Sequence, residues 1–153
     1  MSRRASSSPT STPIENRVFV ALLQTADALN LQAEQVIKSS GLTSAQYNVL
    51  RILRGAEPHG LACRGIGDRM ISHDPDITRL LDRMEKRNLI SRERQTDDRR
   101  VVKTRVTKQG LDLLKQLDQP VHELHRRQFC HLPESKLKTL LDLLEQIRNH
   151  REP

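Results

Sequence analysis

Aromatic side chains are almost absent from this chain: of 153 residues two are Phe, one is Tyr and none is Trp. Proteins that hold single strands stack bases on exposed aromatics, so this scarcity disfavours single-stranded nucleic acid and RNA loops as partners. Cysteine is scarce too. Cys63 and Cys130 are the only two, too few for a disulfide framework, and the opening Met1-Ser2-Arg3-Arg4-Ala5-Ser6-Ser7-Ser8 lacks the apolar centre of a signal peptide, so a reduced, cytoplasmic protein is expected. No run approaches the roughly 18 apolar residues needed to span a bilayer, and no helical pattern sets a basic face against bulky aromatics, which argues against a membrane partner. The motifs of catalysis are missing as well. No Gly-rich phosphate loop, nucleophile elbow, HExxH or paired CxxC occurs, so neither catalytic residues nor a cofactor are expected.

Positive charge is plentiful, and it is localised. The chain carries +7 overall with a pI near 10.0. Residues 61–110 hold 13 Lys and Arg against 8 Asp and Glu, while the segment beyond them is balanced. A localised basic excess is the footprint of a polyanion, because each phosphate neutralised by Lys or Arg releases a condensed counterion.

Helix signals divide the chain. Residues 1–11, rich in Ser, Thr and Pro with two Arg, read as a disordered arm. Thr12-Pro13-Ile14-Glu15 sets a Thr at the cap, Pro at the first helical position and Glu at the third, so the spacing predicts a helix start there. Val18, Leu22, Leu23, Ala26, Leu29, Ala33, Val36 and Ile37 recur at three and four and form one stripe ending before Gly41. Leu42-Thr43-Ser44-Ala45-Gln46-Tyr47 is a capping box with Leu42 placed to staple onto Tyr47; Tyr47, Leu50 and Leu53 face inward until Gly55 and Pro58 stop the helix. Residues 61–70 read as a short helix buried through Leu61, Ile66 and Met70. Its Gly65 and Gly67 each cost about 1 kcal/mol against Ala, so either a neighbouring backbone packs close or the segment is loose.

A second helix follows after a short turn. Asp74 before Pro75 predicts a cap at Asp74, with Ile77, Leu80, Leu81 and Met84 buried and Thr78, Arg79, Asp82, Arg83 and Lys86 outward. Alone, that pattern fits the solvated face of any bundle. Directly behind it, however, Leu89–Arg94 and Val101–Val106 alternate as strands around the charged tip Asp97-Asp98-Arg99-Arg100. The tip alone would pass for a solvated turn; the two together describe a winged helix-turn-helix. The adjacent carboxylates at 97 and 98, offset by arginines, suit wing rigidity better than acid-base work. After the wing, Thr107 caps a fifth helix carrying Leu111, Leu114, Leu117, Val121 and Leu124 with a kink expected at Pro120. Pro133 starts a sixth with Leu137, Leu140, Leu141, Leu144 and Ile147. The first and last helices have more apolar surface than one small core covers, which implies a partner, most simply an identical chain.

Taken in this order, the parts resemble the MarR family of transcription regulators over residues 14 to 150. The resemblance rests on Leu42–Tyr47, on Thr78-Arg79-Leu80-Leu81-Asp82-Arg83-Met84-Glu85, and on Asp98-Arg99-Arg100 followed by Val106-Thr107-Lys108-Gln109-Gly110. Gly65 and Gly67 depart from the stronger helix formers usual before the recognition helix. The resemblance implies a mainly α fold: a winged helix-turn-helix over 42–106, and a helical dimerisation region from 12–40 and 107–150. It also implies a homodimer on an inverted-repeat operator of double-stranded DNA, a recognition helix in the major groove, and wing arginines in the minor groove. Candidate DNA-binding residues are Ser72, His73, Thr78, Arg79 and Arg83 on the helix side, and Arg92, Arg94, Asp98, Arg99, Arg100 and Lys103 on the wing. Thr78 and Arg79 fall on recognition-helix contact positions, and Asp98 with Arg100 on the wing pair. A helical dimerisation module that uses the winged fold for protein contacts only is the competing class, and a steep salt dependence of duplex binding separates the two.

Three switches suit such a regulator. One is a phenolic or organic-acid effector between the first, second and fifth helices, with Leu22 and Tyr47 as lining, as the resemblance favours. The second is a thiol at Cys63, near Arg64 and Arg69, or at Cys130. The third is a metal at His122, His125, Cys130 and His131, whose donor types suit zinc although isolated His pairs are commonly solvated surface groups; no metal ligand is assigned.

Overall fold

The computed structural model describes residues 12–72, 76–94 and 102–150. It is mainly helical. The elements run α1 (Ile14–Lys38), α2 (Ser44–Gly55), β1 (Leu61–Ala62), α3 (Cys63–Gly67), α4 (Ile77–Lys86), β2 (Ile90–Arg94), β3 (Val102–Val106), α5 (Lys108–Phe129) and α6 (Glu134–Asn149). The three strands form one antiparallel sheet in the order β1-β3-β2, with Ile90 opposite Val106 and Arg94 opposite Val102.

One core unites α2, α4, the sheet and α5. Leu50, Leu53, Ile66, Met84, Leu89 and Leu114 are fully buried within it, each contributing roughly 1.5 to 3 kcal/mol. The inward face expected of α2 is the observed one. Its capping box is present with both halves made: Gln46 N donates to Thr43 Oγ1 at 3.2 Å and Thr43 N to Gln46 Oε1 at 3.1 Å. Leu42 and Tyr47 are both buried. Thr107 likewise caps α5, accepting from Gly110 N at 3.2 Å.

Gly110 is required for a further reason. A Cβ there would stand 2.4 Å from the Leu89 carbonyl oxygen, which accepts from Thr107 N at 3.1 Å. The start of α5 is therefore pressed onto the backbone where the recognition region enters the wing. A side chain at 110 would force that junction apart.

Several boundaries differ from the sequence expectation. Pro13, not Thr12, precedes α1 and makes no side-chain cap; its ψ of 145° is extended, so it stands before the helix instead of opening it. Residues 61–67 are a two-residue strand followed by a five-residue helix, not one helix. The cause is Gly60: its φ of +62° turns the chain so that a Cβ would lie 2.6 Å from the Thr104 carbonyl oxygen, and Leu61 and Ala62 then pair with Thr104 and Lys103. No backbone packs close against Gly65 or Gly67: a Cβ at Gly65 would meet only the Leu61 side chain at 3.7 Å, and one at Gly67 would meet nothing within 4 Å. The helix stays short because nothing compensates for two glycines in it. α5 continues through Pro120.

The stripe of α1 is covered only in part: Leu22, Leu29, Ala33 and Val36 are half-buried, and much other apolar surface of the helix is open. Ile37 alone in that helix is buried, while Ile14, Val18, Phe19, Val20, Leu23 and Leu31 are exposed. α6 has no buried residue. Among the described residues no helix is long and apolar enough to cross a membrane.

Candidate nucleic-acid interface

α3 and α4 form the helix-turn-helix, and the β2–β3 hairpin follows at once. α4 divides its side chains cleanly. Leu80, Leu81 and Met84 are buried, whereas Thr78, Arg79, Arg83 and Lys86 are exposed. The cap of this helix is Asp76, whose carboxylate accepts from Arg79 N at 3.3 Å. That corrects the expected cap at Asp74, which itself lies outside the described residues with His73 and Pro75. Asp76 holds the non-helical backbone that a cap needs, at φ −125° and ψ 47°, directly before Ile77.

The helix is held at three points. At its N-terminal end Thr78 Oγ1 meets Cys63 Sγ of α3 at 4.0 Å. At its C-terminal end Asn88 adopts φ 56°, while Asn88 N donates to Glu85 O at 2.8 Å and Leu89 N to Met84 O at 3.0 Å. This is the double bond of a Schellman stop, with buried Leu89 and Met84 as its apolar pair. The Arg87 guanidinium then donates to Gln46 Oε1 and to Gly41 O, both at 3.1 Å, which ties the end of α4 to the start of α2. The third tie runs to the wing. Arg92 of β2 donates from Nε to Glu85 Oε2 at 2.9 Å and from its terminal nitrogen to Asp82 Oδ1 at 2.6 Å and Glu85 Oε2 at 2.5 Å.

These contacts sort the expected DNA-binding residues. Arg79 stands out from the surface with 82% of its side chain exposed, and its Nε meets Asp76 Oδ2 at 3.2 Å; a pair so open to water contributes little and leaves the fork available. Ser72, Thr78, Arg83 and Arg94 are exposed and Lys103 is half-buried. Arg92 differs, being turned inward onto two carboxylates, with the Glu85 hydrogen bond the main cause of a guanidinium pKa held above its usual value. Asp98, Arg99 and Arg100, with Asp97, lie outside the described residues.

The expected switch residues are less well gathered. Tyr47 is a core residue whose ring lies 5.8 Å below the Arg51 guanidinium, and burial is the main reason its phenol pKa is raised, opposed by Arg51. Neither it nor Leu22 lines any of the five clefts best formed among the described residues. The metal candidates are not brought together: among the described residues no group of three His, Cys, Asp or Glu could hold an ion. His125 Nδ1 pairs with Gln128 Oε1 at 3.1 Å and Cys130 donates to Arg127 O at 3.3 Å instead. His122, His125 and Cys130 line one cleft beside α5, yet their donors do not form a group that could hold an ion.

Comparison with known proteins agrees with this geometry. The MarR family model matches residues 42–102, which span α2 through the start of β3. A MarR transcription factor from Planctomyces limnophilus is similar over 93% of this chain and 99% of its own, with 38% identity and a TM-score of 0.65. The chain belongs to the MarR family. As a MarR-family protein it is a DNA-binding transcription regulator and not an enzyme, and its mainly helical winged fold is the expected one. The homoprotocatechuate degradative operon repressor of Escherichia coli is 28% identical over 88% of this chain and 89% of its own length. The PcaV regulator of Streptomyces coelicolor, solved in complex with its natural ligand, is 25% identical over 83% of this chain and 91% of its own with a TM-score of 0.68.

Proposed function

We propose that this chain is a homodimeric repressor that reads an inverted repeat in duplex DNA with the exposed face of α4 and the β2–β3 wing, and that a small organic acid or phenol releases it. The carrying observation is the polar face of α4, presenting Thr78, Arg79, Arg83 and Lys86 beside a hairpin in the most basic segment of the chain. Arg79 supplies the fork that matches guanine O6 and N7, and Thr78 meets a thymine methyl or a phosphate. Ser72, Arg83, Arg94 and Lys103, with His73, Arg99 and Arg100 from outside the described residues, complete the phosphate-facing set, and Asp98 orients Arg100. The uncovered apolar faces of α1 and α6 make residues 12–40 and 107–150 the dimerisation region.

Repression and release rest on the relatives: the Escherichia coli protein represses a degradative operon, and the Streptomyces protein holds a natural ligand. A cleft of about 480 Å³ between α1 and α5, walled by Leu29, Val36, Leu124, Gln32, Gln128 and Arg127, suits an aromatic acid better than the Leu22–Tyr47 region does. With Gln35 also on its wall, it combines apolar sides with one guanidinium and three amides, the composition that orients such a ligand.

The test is titration of the protein on its own upstream DNA with salicylate, with peroxide, and with zinc followed by chelator. Salicylate-type acids are expected to weaken DNA binding, and DNA to weaken acid binding by the same factor, roughly 5- to 150-fold. Release by peroxide alone, abolished in the Cys63→Ser, Cys130→Ser double variant, would replace the organic effector with a thiol switch.

A further inference from the structure

Arg92 sits at the root of the wing, in the most basic part of the chain, and its charge alone suggests a phosphate contact. Its surroundings assign it other work. Its side chain is only 26% exposed, and Nε and one terminal nitrogen donate to Asp82 Oδ1 and Glu85 Oε2 at 2.5 to 2.9 Å. Asp82 and Glu85 are three residues apart on α4 and flank Thr78 at the β2 edge of the exposed row, with 45% and 38% of their side chains exposed. One planar fork thus spans two carboxylates of the recognition helix from the second strand of the sheet. Such geometry suits arginine and not lysine, because only the guanidinium presents several donors in a fixed plane.

Backbone continuity through the Schellman turn at Asn88 and the buried side chains of Leu89 and Ile90 already join the two elements at the root of β2. The Arg92 fork adds a second connection further along the strand, back to Glu85 and Asp82. Its single positive charge also offsets half of the negative charge on two acids that would otherwise repel phosphate from beside the reading face. We propose that Arg92 is a positioning residue, which locks the wing to α4 through Asp82 and Glu85 so that both reach DNA as one body, and that it makes no phosphate contact. The inference rests on the proposed reading of α4 and the wing as the DNA-binding surface.

The experiment uses the full-length chain and a duplex that the wild-type protein selects from a randomised pool, with affinity measured across a series of salt concentrations. Arg92→Gln is expected to bind about tenfold more weakly, a difference of about 1.4 kcal/mol, with an unchanged log-log salt slope. Arg92→Lys should not rescue it, since a point charge cannot span both carboxylates. The Asp82→Asn, Glu85→Gln double variant should also bind more weakly, although it removes negative charge beside the DNA. It carries the test should Arg92→Gln fail to fold. Minor-groove protection by the wing should weaken in each variant while major-groove protection by α4 persists.

Opposite signs overturn the proposal. A salt slope shallower by about 0.9 in Arg92→Gln, the signature of one phosphate no longer neutralised, full rescue by lysine, or tighter binding by the carboxylate double variant would make Arg92 a direct phosphate ligand. Variants indistinguishable from wild type would remove it from the interface altogether. If the wild-type chain selects no duplex, the reading of the surface fails and not the placement of Arg92.

Discussion

Removal of residues 133–153 is expected to abolish dimerisation and to leave a chain that is monomeric or aggregated, with operator binding lost alongside. In the isolated chain Leu140, Leu141, Leu144 and Ile147 are between 38% and 57% exposed, and α6 as a whole has nothing buried. A helix with that much apolar surface and no covering neighbour gains its stability from a partner, at roughly 1.5 to 3 kcal/mol per fully buried leucine. In the proposed two-fold assembly, the like-natured faces of α1, with Phe19 at 62% and Leu23 at 57% exposure, would supply the complementary surface. Because dimerisation brings two reading helices to one site, operator affinity falls with it. Sedimentation of the truncated chain checks this; a stable, soluble dimer after truncation would place the interface elsewhere. The substitutions Leu141→Glu and Leu144→Glu should act in the same direction without shortening the chain.

Arg79→Ala is expected to relax base preference by about 1 to 3 kcal/mol at one base pair of each half-site, the value of a bidentate arginine–guanine contact. Few groups on the surface are so well placed for it. The side chain projects one residue behind Thr78 in the first turn of α4, is restrained only by a solvent-open pair to Asp76, and is backed by the rigid packing of Leu80 and Leu81. Selection from a randomised duplex pool by the variant and by the wild type checks the effect position by position. A uniform fall in affinity across all sequences would demote Arg79 to a phosphate contact.

Much of this architecture was legible in the residues, for identifiable reasons. Capping chemistry is local, so Thr43 with Gln46 and Thr107 with Gly110 could be read directly. The buried faces of α2 and α4 follow from spacings of three and four that no tertiary contact overrides. What could not be read depends on groups remote in sequence. β1 exists because Gly60 lets the chain approach Thr104, a pairing across more than forty residues. The charge and position of Arg92 are visible in a sequence, but its pairing with Asp82 and Glu85 is not, because they become neighbours only when β2 folds back onto α4. The cap of α4 was expected at Asp74 because Pro75 suits a first helical position; the helix instead opens at Ile77 behind Asp76. The metal grouping shows the same limit: donor types and spacing are visible in the sequence, but whether three donors converge on one point is set by the fold, and among the described residues they do not.

The claim that the exposed face of α4 and the wing together grip duplex DNA is tested most directly by the salt dependence of binding for the wild-type chain, Arg99→Ala and Arg100→Ala on one selected duplex. Linear log-log plots are expected, steep for the wild type and shallower in each variant by about 0.9 for every phosphate left without its cation, with both specific and random duplexes affected. A flat plot for the wild type, or slopes and affinities unchanged in both variants, would contradict the account.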